Sequence, residues 1–138
     1  MREKTNIFAI VVTYNAIQWI DRCLGSLQRS TISLHTIVID NGSQDDTIAH
    51  VRSHFPDVEL LPQENNLGFG QGNNLGISYA MNQNASHVLL LNQDAWIEAN
   101  TVQELLQYDD GDSLLSPIHL TGEGAALDRT FKLHALMR

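Results

Sequence analysis

The chain has 138 residues and a mass of 15.4 kDa, which is the size of one domain. Its 16 acidic side chains outnumber 8 basic ones, and the resulting net charge of −8 argues against nucleic acid as a partner. The apolar run at residues 7–12 is too short to span a bilayer and no signal cleavage site follows it. A single cysteine, Cys23, fits a reducing compartment. We therefore expect one cytoplasmic domain, residues 1–138, without a transmembrane segment.

Two kinds of segment, which differ in the spacing of their apolar residues, alternate along the chain. Short runs that are apolar at every position predict strands buried on both faces of a parallel sheet. Runs with apolar residues three or four positions apart predict helices that pack one face on that sheet. The predicted strands are residues 7–12, 35–40, 58–61, 87–91 and 114–120. The predicted helices are residues 16–29, from Ser43 to Pro56, from the loop at 65–72 to Asn82, and 98–107.

This order of elements predicts an α/β fold with a doubly wound, mostly parallel sheet and helices on both faces. In the second helix, Ser43 is the expected N-cap and Asp45 a further acid that favours the helix start. In the third helix, the residues expected to be buried are Leu75, Ile77, Ala80 and Met81.

Polar residues follow each of the first four strands. The clusters are Thr13-Tyr14-Asn15, Asp40-Asn41-Gly42, residues 65–72, and Asn92-Gln93-Asp94. All strand carboxyl ends lie on one edge of a parallel sheet, and ligands of open α/β sheets bind just outside that edge. We therefore expect the four clusters to converge, with Asp40 pointing into the cleft to hold a base N–H or a ribose hydroxyl.

Other binding sites fit the sequence less well. The glycine-rich loop does not complete a dinucleotide fingerprint, because Asn73 and Leu75 stand where a small residue is needed. His50 and His54 are four residues apart on a helix, but no third metal ligand accompanies them at motif spacing, so a solvated face is the better interpretation. A phospho-receiver domain needs an acid pair after the first strand, and residues 13–15 supply none.

Four segments carry a family resemblance: VVTYN, VIDNGSQDDT, NNLGFGQGNNLG and LLLNQDA, in this order. Together they resemble the N-terminal, donor-binding half of the inverting family two glycosyltransferases, which have a GT-A-type fold. The resemblance covers about residues 7–100, and the pattern at 66–74 is similar to the rhamnosyltransferase branch of surface polysaccharide synthesis. It implies a nucleotide-diphosphate sugar donor, Mg²⁺ or Mn²⁺ as cofactor, and transfer with inversion to a glycan or lipid-linked acceptor.

The resemblance also implies roles for individual residues. Thr13, Tyr14 and Asn15 would line the base pocket, and Asp40 would bind the base or the ribose. Asn66 and Gly68 would lie beside the nucleotide, and Asn73 near the diphosphate or the sugar. Asp94 matches the last acid of the family's Asp-x-Asp motif and would bind the metal ion.

Two positions depart from the family pattern. Asn92 replaces the first acid of the Asp-x-Asp motif, so the metal ion would gain one carboxylate and an amide oxygen rather than two carboxylates. Asn41 replaces an aspartate and removes a charge beside the base pocket. Both asparagines remain candidate nucleotide-sugar ligands.

No residue is assigned as the general base, which the resemblance places in an acceptor-binding half that is missing here. The late acids, Asp109, Asp110, Asp112, Glu123 and Asp128, give no defined pocket. The chain is therefore expected to be a fragment of a longer enzyme or to be completed by a partner, and any membrane association would be peripheral and come from that missing part. The alternative is a non-catalytic module that binds a nucleotide or nucleotide sugar.

Overall fold

The computed structural model describes residues 5–121, 124 and 126. The chain divides into two compact units, Met1–Ala99 and Asn100–Arg138. The predicted single domain over all 138 residues stays a prediction. Among the described residues, no helix is long and apolar enough to cross a membrane.

The first unit is built on a four-stranded parallel sheet with the order β3-β2-β1-β4. Its strands are β1 (Ile7–Thr13), β2 (His35–Asp40), β3 (Glu59–Pro62) and β4 (His87–Leu90). Its helices are α1 (Ile20–Gln28), α2 (Thr47–His54) and α3 (Phe69–Asn82). The second unit contains α4 (Thr101–Leu106), which is shorter than the predicted helix 98–107.

Helices cover both faces of the sheet, as predicted. Side chains alternate along a strand, so Ala9 and Val11 of β1 pack with α1 and α2, whereas Ile10 and Val12 pack with α3. Residues 7–13 of β1 are all buried, which explains why this strand is apolar at nearly every position.

Two helix starts and the last predicted strand differ most from the predictions. Helix α1 begins at Ile20 rather than near Ala16, because residues 17–19 form a turn. Helix α2 begins at Thr47, and Ser43 does not cap it, because the Ser43 hydroxyl donates to Asp40. The predicted strand at 114–120 is wrong: residues 113–119 have no regular structure, and Pro117 lacks the N–H that a ladder needs.

Helix α3 makes its closest contacts with the sheet through small residues, and Ile77, predicted to be buried, is half-buried beside them. Its buried residues are Gly72, Asn73, Gly76 and Ala80, whereas Leu75 and Met81, predicted to be buried, are 36% and 60% exposed. A Cβ atom at position 76 would lie 2.5 Å from Ile10 Cγ2 of β1. The close approach of this helix to β1 therefore requires glycine.

Replacing Gly76 by alanine tests this packing. We expect Gly76→Ala to lower the free energy of unfolding by about 1–3 kcal/mol, because the added methyl group overpacks the contact with Ile10. Gly70→Ala is the matched control, since nothing lies within 4 Å of a Cβ at this position of the same helix. Urea denaturation should show a change below about 1 kcal/mol for the control. Equal effects of the two substitutions would contradict glycine-dependent packing.

Candidate functional site

An open cavity of about 470 Å³ lies at the carboxyl ends of the strands. The chain passes from β1 to β2 and β3 on one side of the sheet, and β4 then pairs with the other side of β1. This reversal of strand order creates the crevice in which ligands of open α/β sheets bind. The residues that line the cavity are Val12, Thr13, Tyr14, Asn41, Asn66, Gly68, Phe69, Asn92, Gln93 and Asp94.

Residues predicted from four separate segments meet in this cavity. The structure brings together Thr13, Tyr14, Asn41, Asn66, Gly68, Asn92 and Asp94. Asn15, Asp40 and Asn73 are not among the lining residues. Phe69 and Gln93, which belong to the predicted clusters but were given no individual role, also line the cavity, as does Val12.

The prediction that Asp40 points into the cleft is wrong in this structure. Asp40 is 0% exposed, and both carboxylate oxygens accept hydrogen bonds from the chain itself. Oδ2 accepts from the hydroxyls of Thr13 (2.8 Å) and Ser43 (2.6 Å), and Oδ1 accepts from the backbone N–H groups of Gly42 (3.1 Å) and Ser43 (2.8 Å). Asp40 therefore fixes the loop after β2 to the end of β1.

Asn15 and Asn73 also hold the backbone rather than line the cavity. Asn15 has a positive φ of 49°, and its Oδ1 accepts from the N–H of Gln44 at 2.8 Å. Asn73 is 6% exposed and donates from Nδ2 to the Phe69 carbonyl at 3.1 Å. Their predicted contacts with the base, diphosphate or sugar have no support in this geometry.

Asn41, the residue next to Asp40, does face the cavity. Its Nδ2 donates to the Gly68 carbonyl at 3.2 Å, and its Oδ1 accepts from the Leu67 N–H at 3.4 Å. Asn41 therefore ties the end of β2 to the start of α3. The departure from the family pattern thus falls on a lining residue that is itself only 3% exposed.

Gln93 lines the cavity as part of a predicted polar cluster, but the sequence analysis assigned it no individual role. Its Oε1 accepts from the Tyr14 N–H at 2.8 Å, and its Nε2 donates to the Tyr14 carbonyl at 3.3 Å. The sequence feature that could have indicated a role for Gln93 is its position between Asn92 and Asp94, in a polar segment that follows a buried strand.

The segment that carries Asp94 rests on α1. The Cys23 thiol donates to the Asn92 carbonyl at 3.5 Å, and the Ile97 N–H donates to Ser26 Oγ at 3.2 Å. Burial, together with the charge of Asp94, raises the pKa of Cys23 to about 12. The thiol is therefore protonated and available as a donor throughout the physiological range.

A cation could bind at Asn92 and Asp94. Both side chains are exposed and line the cavity, so a carboxylate and an amide oxygen face the same space. Among the described residues, no group of three or more His, Cys, Asp or Glu side chains could hold a metal ion. This donor set fits a hard ion such as Mg²⁺ or Mn²⁺ that takes its remaining ligands from a phosphate group and water.

The histidine pair considered above as a metal site, His50 and His54, does not line the cavity. The two rings stack with centroids 4.0 Å apart, and His50 Nε2 lies 2.6 Å from Asp21 Oδ1. This group joins α2 to α1. Asp45 accepts from the N–H of Thr47, the first residue of α2, as expected for an acid at a helix start.

Comparison with known proteins identifies the family. Residues 8–118 match the family model described as glycosyl transferase family 2, so the chain belongs to this family. It is 24% identical to the dTDP-rhamnosyl transferase RfbF of Shigella flexneri over 110 residues, which cover 79% of this chain and 36% of that protein. The chain spans about a third of the length of the curated relatives it first matches.

Solved structures confirm the predicted GT-A-type fold. The S. aureus protein TarS (residues 1–349), solved in complex with UDP-GlcNAc, has a TM-score of 0.67 at 24% identity over 75% of this chain and 31% of that chain. The mannosyltransferase PcManGT from Pyrobaculum calidifontis, solved with GDP-Man and Mn²⁺, has a TM-score of 0.68 at 23% identity over 78% and 33%. At these levels of sequence identity, the structural similarity establishes the fold.

Replacing Asp40 tests whether it acts as an internal brace. We expect Asp40→Ala to lower the free energy of unfolding by at least about 3 kcal/mol, because buried hydroxyl and N–H donors lose their acceptor. Asp46→Ala is the matched control, since the Asp46 side chain is exposed and makes no cap hydrogen bond. Thermal and urea unfolding should show less than about 1 kcal/mol for the control. An Asp40→Ala protein of unchanged stability would contradict this structural role of Asp40.

Proposed function

We propose that this chain is the donor-binding part of an inverting glycosyltransferase that uses a nucleotide-diphosphate sugar and a divalent metal ion, and that the acceptor is a glycan or a lipid-linked sugar. The observation that carries the proposal is the convergence of four strand-end segments on one open cavity in a chain of this family. Its relatives and structural neighbours include proteins named or solved with dTDP-, UDP- and GDP-linked sugars.

One side of the cavity suits a base and ribose. Tyr14 and Phe69, which are 45% and 58% exposed, offer ring surface, and the exposed Asn66 offers a side-chain amide. Ligand pockets commonly combine apolar surface with a few such polar groups. Asp40 does not line the cavity, and Asn41 lines it but is only 3% exposed. In our proposal the candidate side-chain contact to the base is therefore Asn66.

The start of α3 suits the diphosphate. Gly68 precedes this helix with φ of +80°, and no side chain caps the helix. A helix N-terminus carries partial positive charge and free N–H groups, which favour phosphate. Gly68 and Phe69 line the cavity, so this end of the helix borders the ligand space.

Asp94 and Asn92, which also line the cavity, would hold the metal ion. When bound, Mg²⁺ or Mn²⁺ would neutralise the diphosphate that leaves during transfer. The lining residues include no lysine, arginine or histidine that could do so. With one carboxylate rather than two, Asp94 would bind the ion with an affinity that depends on the bound diphosphate.

The general base lies outside the cavity lining in this proposal. Inverting transfer needs a base that removes the proton of the acceptor hydroxyl. Among lining residues, Asp94 is the only carboxylate, and it is assigned to the metal ion. Of the late acids, Asp109, Asp110 and Asp112 belong to the second unit and are exposed, and Glu123 and Asp128 lie outside the described residues. The predicted cytoplasmic location stays a prediction.

Ligand-induced thermal stabilisation and donor hydrolysis test the function. We expect a higher melting temperature with UDP, dTDP or GDP, and a larger increase when Mn²⁺ is added, because ligands stabilise the native state that binds them. The donors to try are dTDP-rhamnose, UDP-GlcNAc and GDP-mannose, and slow release of the nucleoside diphosphate would show a competent donor site. Binding without hydrolysis would favour the non-catalytic module, and no stabilisation by any nucleotide would contradict both.

Removing the Asp94 carboxylate tests the metal ligand. We expect Asp94→Ala to lose the Mn²⁺-dependent part of nucleotide affinity, measured by calorimetry, while its free energy of unfolding in buffer changes by less than about 0.5 kcal/mol, since the side chain is exposed. Asp57→Ala, which removes an exposed carboxylate outside the cavity lining, is the matched control. Equal Mn²⁺-dependent affinity in Asp94→Ala and the control would remove Asp94 from the site.

A further inference from the structure

We propose that Gln93 is a positioning residue: its side-chain amide joins the Tyr14 backbone to the segment 92–94, so that the base side and the metal side of the donor site keep one relative position. This inference deepens the proposed function and rests on it for the identity of the ligand. The two bonds themselves are properties of the chain alone.

The bonds continue the sheet beyond the ends of its strands. The pairing of β1 with β4 ends at Ile10 and Leu90, followed by the bond from the Leu91 N–H to the Ile10 carbonyl at 3.0 Å. Further along, the Gln93 side chain binds both the N–H and the carbonyl of Tyr14. A primary amide carries a donor and an acceptor, as a peptide group does, and therefore supplies the next rung of this ladder.

The residues around these two hydrogen bonds line the cavity. Asn92 and Asp94, on either side of Gln93, are exposed and face the ligand space, whereas Gln93 is half-buried. Tyr14, whose backbone Gln93 binds, lines the same cavity and is 45% exposed. A shift of the 92–94 segment relative to Tyr14 would change the distance between the candidate base contacts and the candidate metal ligands.

Support from α1 does not replace this connection. On α1, Cys23 binds the backbone of Asn92 and Ser26 binds the backbone of Ile97, and these bonds hold the segment against the helix. The loop after β1 is held separately, since the Asn15 N–H donates to Ser43 Oγ at 2.9 Å. Within the part of the chain that the structure describes, the Gln93 amide makes the hydrogen bonds that link Tyr14 to 92–94.

The side chain must supply both a donor and an acceptor to do this. Methionine has nearly the same length but makes neither strong bond, and glutamate keeps the acceptor while losing the Nε2 donor. The variants Gln93→Met and Gln93→Glu therefore separate the two bonds. Gln28→Met is the matched control, because Gln28 is exposed on α1 and does not line the cavity.

The first measurement is hydrogen exchange of the Tyr14 amide, which needs no ligand. We expect exchange about tenfold faster in Gln93→Met than in wild type, because the acceptor is lost, and near-wild-type exchange in Gln93→Glu, which keeps it. The control should exchange like wild type. Unchanged Tyr14 exchange in Gln93→Met would overturn the proposal whether or not the protein binds nucleotides.

The second measurement is the ratio of nucleotide affinities with and without Mn²⁺, using whichever of UDP, dTDP and GDP stabilises the wild type most. A positioning role predicts that Gln93→Met lowers this ratio by about tenfold. The loss should disappear in an Asp94→Ala background, because Gln93 acts on the metal ion only through the position of Asp94. A merely structural role would lower the melting temperature and leave the ratio unchanged, which would overturn the proposal. If the wild type binds none of the three nucleotides, the proposed function fails and the exchange data alone decide on the Gln93 connection.

Discussion

The parallel pairing of β1 with β2 on one side and β4 on the other is the constraint on which the site depends. It places the ends of these strands on one edge and opens a crevice where the direction of winding reverses. Tyr14 and Asp94 are 80 residues apart in the sequence but border the same cavity for this reason. The close packing of α3 on β1, through Gly72 and Gly76, brings the start of that helix to the same edge.

The polar residues at this edge divide into two groups with different physical roles. Asp40, Asn15 and Asn73 bond to the chain itself and hold the loops in place. Thr13 belongs to both groups, because its hydroxyl donates to Asp40 while the residue lines the cavity. A site assembled from loops needs such internal bonds, since an unsatisfied buried polar group costs more than most surface contacts gain.

The fold could be predicted from the sequence because its signals are local. Apolar strands, amphipathic helices and the order in which they alternate define a doubly wound parallel sheet, and the polar residues after each strand mark the edge that binds ligands. Most predicted site residues therefore do line the cavity, including Asn66 and Gly68 of the glycine-rich loop. The family pattern added a candidate role for Asp94 as a metal ligand.

The errors arise where the outcome depends on contacts that a sequence pattern does not contain. Asp40 and Asn41 are neighbours at a strand end, and only the positions of Thr13 and Ser43 determine that the acid turns inward while the amide faces the cavity. Leu75 and Met81 were predicted to be buried because they are large and apolar, yet the closest contacts of α3 with β1 are made at Gly72 and Gly76. Gln93 was placed in a predicted cluster without a role, because its partner, Tyr14, is distant in sequence.

Paramagnetic broadening of backbone amide signals by Mn²⁺ in the presence of a nucleoside diphosphate tests the central claim most directly. The account predicts that broadening requires the nucleotide and is strongest at residues 92–94, with weaker effects at residues 12–14 and 66–69, which border the same cavity. Broadening centred on His50 and His54, or equally strong without nucleotide, would contradict a donor site at this edge of the sheet.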